Sequence, residues 1–149
     1  MPRFTSPYDS ASLFYRDFIP DPQFNGVDIA PPSTSKITSE HKNVTLVFLH
    51  GWPMSSLMYE HLLVPLCQDH KFRCIAPDRR GFGKSEWNGR GCNDAAKSII
   101  TYETFADDVA FLLKDLAVGD FVFIGASMGC GESLLAWERS AYVREHCKV

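Results

Sequence analysis

The stretch FVFIGASMGCGES, residues 121–133, decides the fold of this chain. It begins with a short apolar run that is typical of a strand buried in a parallel sheet. The run ends at Gly125, and small residues that can open a helix follow from Met128. Gly125 to Gly129 match the pattern G-x-S-x-G, which between a strand and a helix presents a serine as a candidate nucleophile. The sequence therefore predicts that Ser127 lies exposed on a tight turn at the end of a strand.

The two glycines of this pattern have a steric reason. A turn this tight holds the serine in a strained backbone conformation and brings the following helix close to the strand. A side chain at Gly125 or Gly129 would collide with the strand or the helix, so both positions are predicted to require glycine. The turn then lifts the Ser127 hydroxyl off the top of the sheet.

Three apolar runs predict the central strands of the sheet. The runs are VTLVFL at 44–49, FRCIAP at 72–77 and DFVFI at 120–124. Ahead of them, two short runs around a turn at Asp9 and Ser10 predict an antiparallel hairpin at the edge of the sheet. Residues 28–43 are rich in Pro, Ser and Thr, which is typical of an exposed loop.

Helical periodicity fills the segments between the central runs. The first apolar stripe consists of Tyr59, Leu62, Leu63 and Leu66. Pro65 is expected to kink or restart this helix. The second helix is predicted to begin with Thr101 as its cap and to end at Gly119. Its stripe consists of Phe105, Val109, Leu112, Leu113 and Leu116. A third helix is predicted from Met128 to about Ser140. Strands that alternate with helices in this way predict an α/β fold with a largely parallel sheet.

The segment HGWP, residues 50–53, ends the first central strand and provides a second component for the candidate nucleophile. Its loop is predicted to aim the backbone N–H of Trp52 at the place where Ser127 would attack. The turn directs the Met128 N–H toward the same spot. Each such donor can stabilise the oxyanion of a tetrahedral intermediate by up to roughly 3 to 4 kcal/mol. One nucleophile and two donors suit acyl transfer.

The segments LHGWP (49–53), APDRRGFGKS (76–85) and GASMG (125–129), in this order and spacing, resemble the α/β-hydrolase superfamily. The likeness is greatest to its cofactor-free haloperoxidase, arylesterase and perhydrolase branch. It implies the N-terminal part of an α/β-hydrolase fold: a mostly parallel sheet with an N-terminal antiparallel hairpin and flanking helices. Two residues depart from the family pattern, Ala126 where many members carry His or Phe, and Cys130 where Gly is usual. Both bear on substrate preference and not on the fold.

The resemblance also implies a mechanism. Ser127 is the nucleophile of a serine hydrolase that acts on small esters or carboxylic acids, and an acid and a histidine complete its triad. The backbone N–H groups of Trp52 and Met128 form the oxyanion hole. The supporting residues are His50, Gly51, Gly125 and Gly129. No cofactor and no metal are implied. Epoxide hydrolases and haloalkane dehalogenases share the fold, but they place a carboxylate where this chain has Ser127.

The sequence offers no good general base. A serine hydroxyl is a weak nucleophile at neutral pH and needs a histidine within about 3 Å. His146 alone follows Ser127, but the helix between them is up to ~28 Å long and leads toward the opposite edge of the sheet. His146 is therefore not expected to be the base unless this helix breaks and folds back. His50 ends a strand and is expected to support the site. The remaining histidines, expected on the surface, are His41, His61 and His70.

Residues 1–149 are therefore predicted to be an incomplete α/β-hydrolase domain that ends after the helix following Ser127. The triad acid and histidine are expected to be absent, so the chain alone is predicted to be inactive or nearly so. The strand at 121–124 is then left with an unpaired edge, which favours association. The alternative is a catalytically inactive fragment or a pseudo-enzyme with a binding role only.

Composition argues against several other functions. A net charge of −3 over 149 residues provides no basic surface for nucleic acid. No segment has the ~18 apolar residues of a membrane span and the N-terminus lacks a secretory signal, so a cytoplasmic protein without membrane partners is expected. Five cysteines without a CxxC pair indicate neither a disulfide framework nor a zinc site. GKS at 83–85 lacks the earlier glycine of a phosphate-binding loop, because Asp78 stands there.

Overall fold

The computed structural model describes residues 2–21, 44–89 and 100–148. The predicted exposed loop at 28–43 falls outside these residues, and so does His41.

Five strands form one mixed sheet in the described part of the chain. They are β1 (Arg3–Thr5), β2 (Ser12–Phe18), β3 (Thr45–Leu49), β4 (Cys74–Pro77) and β5 (Phe121–Gly125). Their order across the sheet is β1-β2-β4-β3-β5. β3 runs parallel to both β4 and β5, whereas β1 and β2 are antiparallel to each other and β2 is antiparallel to β4. The predicted α/β fold with a parallel centre and an N-terminal hairpin at one edge is confirmed.

Helices cover both faces of this sheet. A short 3₁₀ turn (Ser56–Tyr59) leads into α1 (Glu60–Gln68), and the later helices are α2 (Tyr102–Asp115), α3 (Met128–Arg139) and α4 (Ala141–His146). The alternation of side chains along β3 divides the core between the two faces. Val47 and Leu49 belong to the cluster packed under α2, α3 and α4. Phe48 points the other way and packs with Tyr59 and Leu63 of the α1 region.

The first helix differs in detail from its predicted stripe. Tyr59, Leu63 and Cys67, spaced four residues apart, are the buried positions, whereas Leu62 is 52% exposed. The prediction for Leu62 was wrong: Tyr59, Leu63 and Cys67 face the sheet with Leu66 partly buried beside them, whereas Leu62 lies on the solvent side of the helix. Pro65 does not restart the helix, since α1 continues through it to Gln68.

The second helix begins as predicted but ends earlier. Thr101 is its N-cap, and its backbone N–H donates to Thr104 Oγ1 at 3.3 Å. The helix ends at Asp115 and not at Gly119, because Ala117 takes the left-handed conformation (φ 47°) that glycine usually supplies. Val118 N–H then donates to the Leu113 carbonyl at 3.0 Å and its side chain is buried. Burial of Val118 holds Ala117 in a conformation that alanine alone would avoid.

No helix in the described ranges is long and apolar enough to cross a lipid bilayer.

Candidate active site

Ser127 lies on the turn between β5 and α3, as predicted. Its backbone angles are φ 51° and ψ −113°, which is a strained region for any residue other than glycine, and the residue is exposed. β5 stays paired with β3 up to this turn, because the Ala126 N–H donates to the Leu49 carbonyl at 3.0 Å. The helix starts at once, since Cys130 N–H donates to the Ser127 carbonyl at 3.0 Å. The hydroxyl therefore stands at the carboxyl end of β5, clear of the sheet.

Three glycines allow the segments around Ser127 to approach this closely. A Cβ at Gly129 would lie 2.1 Å from the Leu49 carbonyl oxygen, and one at Gly125 would lie 2.7 Å from the backbone nitrogen of Cys130. Those distances are far inside van der Waals contact, which bears out the predicted steric need for glycine at both positions. A Cβ at Gly51 would lie 3.4 Å from the Ser127 Cβ. The HGWP turn therefore runs directly beside the serine.

The two predicted backbone donors lie on these adjoining segments. No acceptor among the described residues takes the backbone N–H of Trp52 or of Met128. Each segment is fixed by a contact of its own: Met54 N–H donates to the Gly51 carbonyl at 3.0 Å, and Tyr102 Oη–H donates to the Met128 carbonyl at 2.6 Å. The Trp52 side chain is 67% exposed, so it lies on the open side of the turn. Among the described residues both N–H groups therefore lack an acceptor, and they belong to the two segments that flank the exposed hydroxyl.

His50 is buried beneath the HGWP turn and has both ring nitrogens occupied. Its Nε2 accepts the Arg79 backbone N–H at 3.0 Å, so Nδ1 carries the proton and donates to the Gly51 carbonyl at 2.9 Å. Burial lowers the pKa of His50, and the nearby positive charge of Arg79 lowers it further, while the hydrogen bond to Gly51 opposes both. His50 is therefore a neutral structural residue and cannot take a proton from Ser127.

His146 lies far from Ser127. Helix α3 breaks at Ser140, which has extended backbone angles, and α4 ends at His146, whose ring stacks on Tyr142. The next residue, Cys147, bridges to Phe121, the first residue of β5. Gly125, the last residue of that strand, is about 13 Å from Phe121 at ~3.3 Å per residue, and Ser127 lies two residues beyond it. The helix does break at Ser140, and His146 lies beside the start of β5 and not at the opposite edge of the sheet as predicted. It is still at the end of that strand remote from Ser127, which argues against His146 as the base.

A buried ion pair connects the strand side and the helix side of this site. Arg79 Nε donates to Glu132 Oε2 at 2.8 Å, and Arg79 Nη2 donates both to that oxygen and to the His50 carbonyl at 2.8 Å. Arg79 and Glu132 are 5% and 2% exposed. Burial raises the pKa of the Glu132 carboxyl, and the charge of Arg79 opposes that shift. Sequence reasoning missed Glu132. Its spacing from Gly129 and Ala136, three and four residues, could have placed it on the buried face of α3.

The DRRGFGKS segment, residues 78–85, is a structural turn held by Asp78. Asp78 accepts the backbone N–H groups of Ser56 at 2.7 Å and Lys84 at 2.8 Å. A Cβ at Gly83 would lie 2.1 Å from Asp78 Oδ2, so this glycine lets the turn close over the carboxylate. The carboxylate of Asp78 therefore holds this turn together from its inside.

A second buried network lies beside the first. Arg80 donates to both carboxylate oxygens of Asp9 at 2.9 Å, pairs with Asp108 of α2, and donates to Ser6 Oγ at 2.6 Å. Burial raises the pKa of Asp108, and the hydrogen bonds from Arg80 and Ser6 act against that shift. This network ties the N-terminal hairpin to α2 and does not reach the HGWP turn.

Comparisons with known proteins agree with this geometry. A family profile described as "alpha/beta hydrolase fold" matches residues 44–148. The non-heme chloroperoxidase CPO-A1 of Kitasatospora aureofaciens is 38% identical over 89 residues, which are 58% of this chain and 28% of that protein. The bifunctional esterase/perhydrolase DCH of Acinetobacter calcoaceticus is 35% identical over 89 residues, with the same two shares.

A solved structure supports the fold. The esterase EaEST of Exiguobacterium antarcticum superposes with a TM-score of 0.70 at 22% identity, over 99% of this chain and 42% of that one. The chain thus spans less than a third of the two curated relatives and less than half of the esterase structure. With the profile matched over more than half of its residues, the chain belongs to the α/β-hydrolase fold family.

Proposed function

We propose that this chain carries the nucleophile and the oxyanion hole of a serine hydrolase that acts on small esters or related acyl compounds. One observation carries the proposal: Ser127 stands exposed on a strained turn, and the unoccupied backbone N–H groups of Trp52 and Met128 lie on the segments beside it. The names of the relatives, esterase/perhydrolase and haloperoxidase, point to the same class of chemistry.

The proposed reaction proceeds in two steps. The Ser127 hydroxyl adds to the substrate carbonyl while a base takes its proton, and the carbonyl oxygen becomes an oxyanion that accepts hydrogen bonds from Trp52 and Met128. Collapse expels the alcohol, which takes up a proton, and leaves an acyl group on Ser127. Water then attacks the acyl group through the same oxyanion and releases the carboxylic acid. Attack by hydrogen peroxide in place of water would give a peracid instead, which is the reaction expected of a perhydrolase.

The base and the acid that orients it are proposed to come from outside these 149 residues. The described histidines do not fill the role, because His50 is fully hydrogen-bonded, His146 lies at the far end of β5, and His61 and His70 belong to the α1 region. The chain by itself is therefore proposed to be nearly inactive.

An external base tests this proposal on the chain as it is. The chain is treated with a fluorophosphonate, and mass spectrometry follows the adduct on Ser127 with and without added imidazole. Slow labelling that imidazole accelerates is expected, because imidazole can take the proton that no described side chain reaches. Ser127→Ala and heat-denatured chain are the controls, and both should stay unlabelled.

The second part of the test uses a polypeptide that extends beyond Val149. A longer polypeptide that contains an Asp and a later His should label rapidly without imidazole. If Ser127 remains unlabelled both in the longer polypeptide and in the chain with imidazole, the assignment of the nucleophile is wrong.

A second candidate function is binding without catalysis. The observation that favours it is the outer edge of β5, which in the described residues pairs only with Cys147 and Lys148. A chain that never labels yet forms a defined complex through this edge would support the binding role over the catalytic one.

A further inference from the structure

We propose that Arg79 and Glu132 are positioning residues that fix the separation of the two backbone donors, Trp52 and Met128. The inference rests on the proposed function, since it concerns the geometry of the same oxyanion hole. Neither side chain touches the position of a substrate, because both are buried below the turn.

On the strand side, Arg79 holds His50 at two points. Its backbone N–H donates to the imidazole Nε2 at 3.0 Å, and its Nη2 donates to the carbonyl oxygen at 2.8 Å. The imidazole in turn donates from Nδ1 to the Gly51 carbonyl at 2.9 Å. Trp52 follows immediately, so the orientation of its N–H depends on the peptide units that Arg79 and His50 hold.

On the helix side, Glu132 receives Arg79. Glu132 lies four residues after Met128, which is about one helical turn, and therefore below the N-terminal end of α3. The same guanidinium that donates to the His50 carbonyl also donates to Glu132 Oε2 from Nε and Nη2. One planar group thus links the strand end that leads to Trp52 with the helix turn that begins at Met128.

The chemistry of this link suits positioning better than stability. Removing two charges from water is costly, and apolar residues of similar volume often stabilise a core as well or better. An arginine fork, in contrast, fixes both distance and angle between its acceptors. The guanidinium is held further by the rings of Phe105 and Phe82, whose centroids lie 5.6 and 5.9 Å from its carbon. The pair therefore fixes the positions of His50 and Glu132 relative to each other. A gain in stability alone would not explain why two charges are buried here.

The test compares three changes at the pair. Glu132→Gln and Arg79→Lys each weaken the link, because the amide carries no charge and the lysine lacks the fork. The double variant Arg79→Met/Glu132→Leu replaces the pair with apolar groups and is expected to fold at least as stably as the two single variants. Ser127 labelling by fluorophosphonate is measured with imidazole, under conditions where near-ultraviolet circular dichroism shows each variant folded.

All three variants are expected to label about tenfold to a hundredfold more slowly, because small displacements of catalytic groups have effects of this size. Asp108→Asn is the matched control: it breaks the neighbouring buried pair with Arg80 but leaves every hydrogen bond between Arg79, Glu132 and His50 in place. It removes only a repulsion that Asp108 exerts on the Glu132 carboxylate, so its labelling rate should stay close to the wild type. In a longer polypeptide with turnover, kcat should fall with little change in KM, since the oxyanion forms only in the transition state.

The outcomes separate the two proposals. If the wild type labels, and the three variants label more slowly than it while Asp108→Asn does not, the positioning role is supported. If the double variant labels as fast as the wild type, or if Asp108→Asn slows as much as the three variants, the positioning role is wrong. The proposed function is unaffected by either result. No wild-type labelling under any condition overturns both.

Discussion

Ser127 holds the most strained backbone conformation near the site, with φ 51° and ψ −113°. Conformations of this kind cost of order 1–3 kcal/mol and persist only when the surroundings enforce them. Here the Leu49 carbonyl and the close contact with Gly51 fix both sides of the turn. The strain is consistent with a position retained for chemistry, because a glycine would fit the turn better.

Ser127→Gly is therefore expected to stabilise the chain by about 1 kcal/mol, because glycine reaches positive φ without strain. Ser127→Ala removes the same hydroxyl but keeps the Cβ, so it should give no comparable gain. Urea unfolding followed by circular dichroism measures both. An equal gain in the two variants would mean that the hydroxyl, and not the backbone, is the source of instability.

Gly129 permits the contact between α3 and β3 that brings Met128 beside the HGWP turn. A Cβ there would lie 2.1 Å from the Leu49 carbonyl oxygen, so Gly129→Ala should lower the free energy of unfolding by about 3 kcal/mol. Gly119 is the matched control, since a Cβ there meets nothing within 4 Å. Gly119→Ala should change stability by no more than about 1 kcal/mol, in the stabilising direction. Urea unfolding measures both variants. Equal losses of stability in Gly129→Ala and Gly119→Ala would mean that the clash with Leu49 is not the cause.

For single residues, the sequence predicted the short motif around Ser127 but missed a contact between residues far apart in the chain. Gly125, Ser127 and Gly129 form one short motif that can be recognised without the rest of the chain, although the clash that excludes a Cβ at Gly129 is with Leu49 of β3. The partnership of Arg79 with Glu132 joins positions 53 residues apart, and only the packing of α3 against β3 brings them together. The spacing from Gly129 and Ala136 could have placed Glu132 on the buried face of α3, but nothing local identifies Arg79 as its partner.

Among the elements, α2 contains two adjacent acids with opposite environments. Asp107 pairs with Arg139 of α3 at the surface, where the two side chains are 51% and 41% exposed. Asp108 pairs with Arg80, and their side chains are 8% and 0% exposed. The exposed pair joins two helices that are already packed together, whereas the buried pair ties α2 to the N-terminal hairpin.

Asp108→Asn is expected to destabilise the chain by about 3 kcal/mol, since it leaves part of the Arg80 charge uncompensated in the core. Asp107→Asn should cost less than about 1 kcal/mol, because exposed pairs are screened by water and salt. Urea unfolding of both variants, at low salt and at high salt, checks the contrast. Similar losses in the two variants would show that the Arg80 network contributes little to holding the hairpin.

Element types were predictable and element ends were less so. The strands follow from continuous apolar runs, and the start of α2 follows from Thr101. The end of α2 was misassigned to Gly119 because its actual signal, Ala117 at positive φ, is set by the burial of Val118. Leu62 was misassigned because periodicity permits a wider stripe on α1 than the sheet beneath it covers.

The whole molecule is asymmetric about its sheet. One edge is closed by the β1–β2 hairpin, and at the other edge β5 pairs inward with β3. The Asp120 carbonyl accepts the Thr45 N–H, so even-numbered backbone groups of this strand face β3. Odd-numbered groups face outward: the Phe121 carbonyl accepts the Lys148 N–H, but no donor in the described residues reaches the carbonyl of Phe123.

This outer edge leads to the last prediction, which concerns association. A strand edge with unpaired backbone groups is a template for another strand, so the 149-residue chain is expected to associate as its concentration rises. Val122→Lys places a charge on β5 and should reduce association, because a lysine on an edge strand opposes pairing with a second chain. Leu134→Lys adds the same charge on α3, at a side chain that is 71% exposed, and should leave association unchanged. Size-exclusion chromatography with light scattering measures the mass of each. If the wild-type chain stays monomeric at every concentration, the outer edge of β5 does not pair with a second chain. If Val122→Lys and Leu134→Lys reduce association equally, association depends on charge or apolar surface in general and not on this strand.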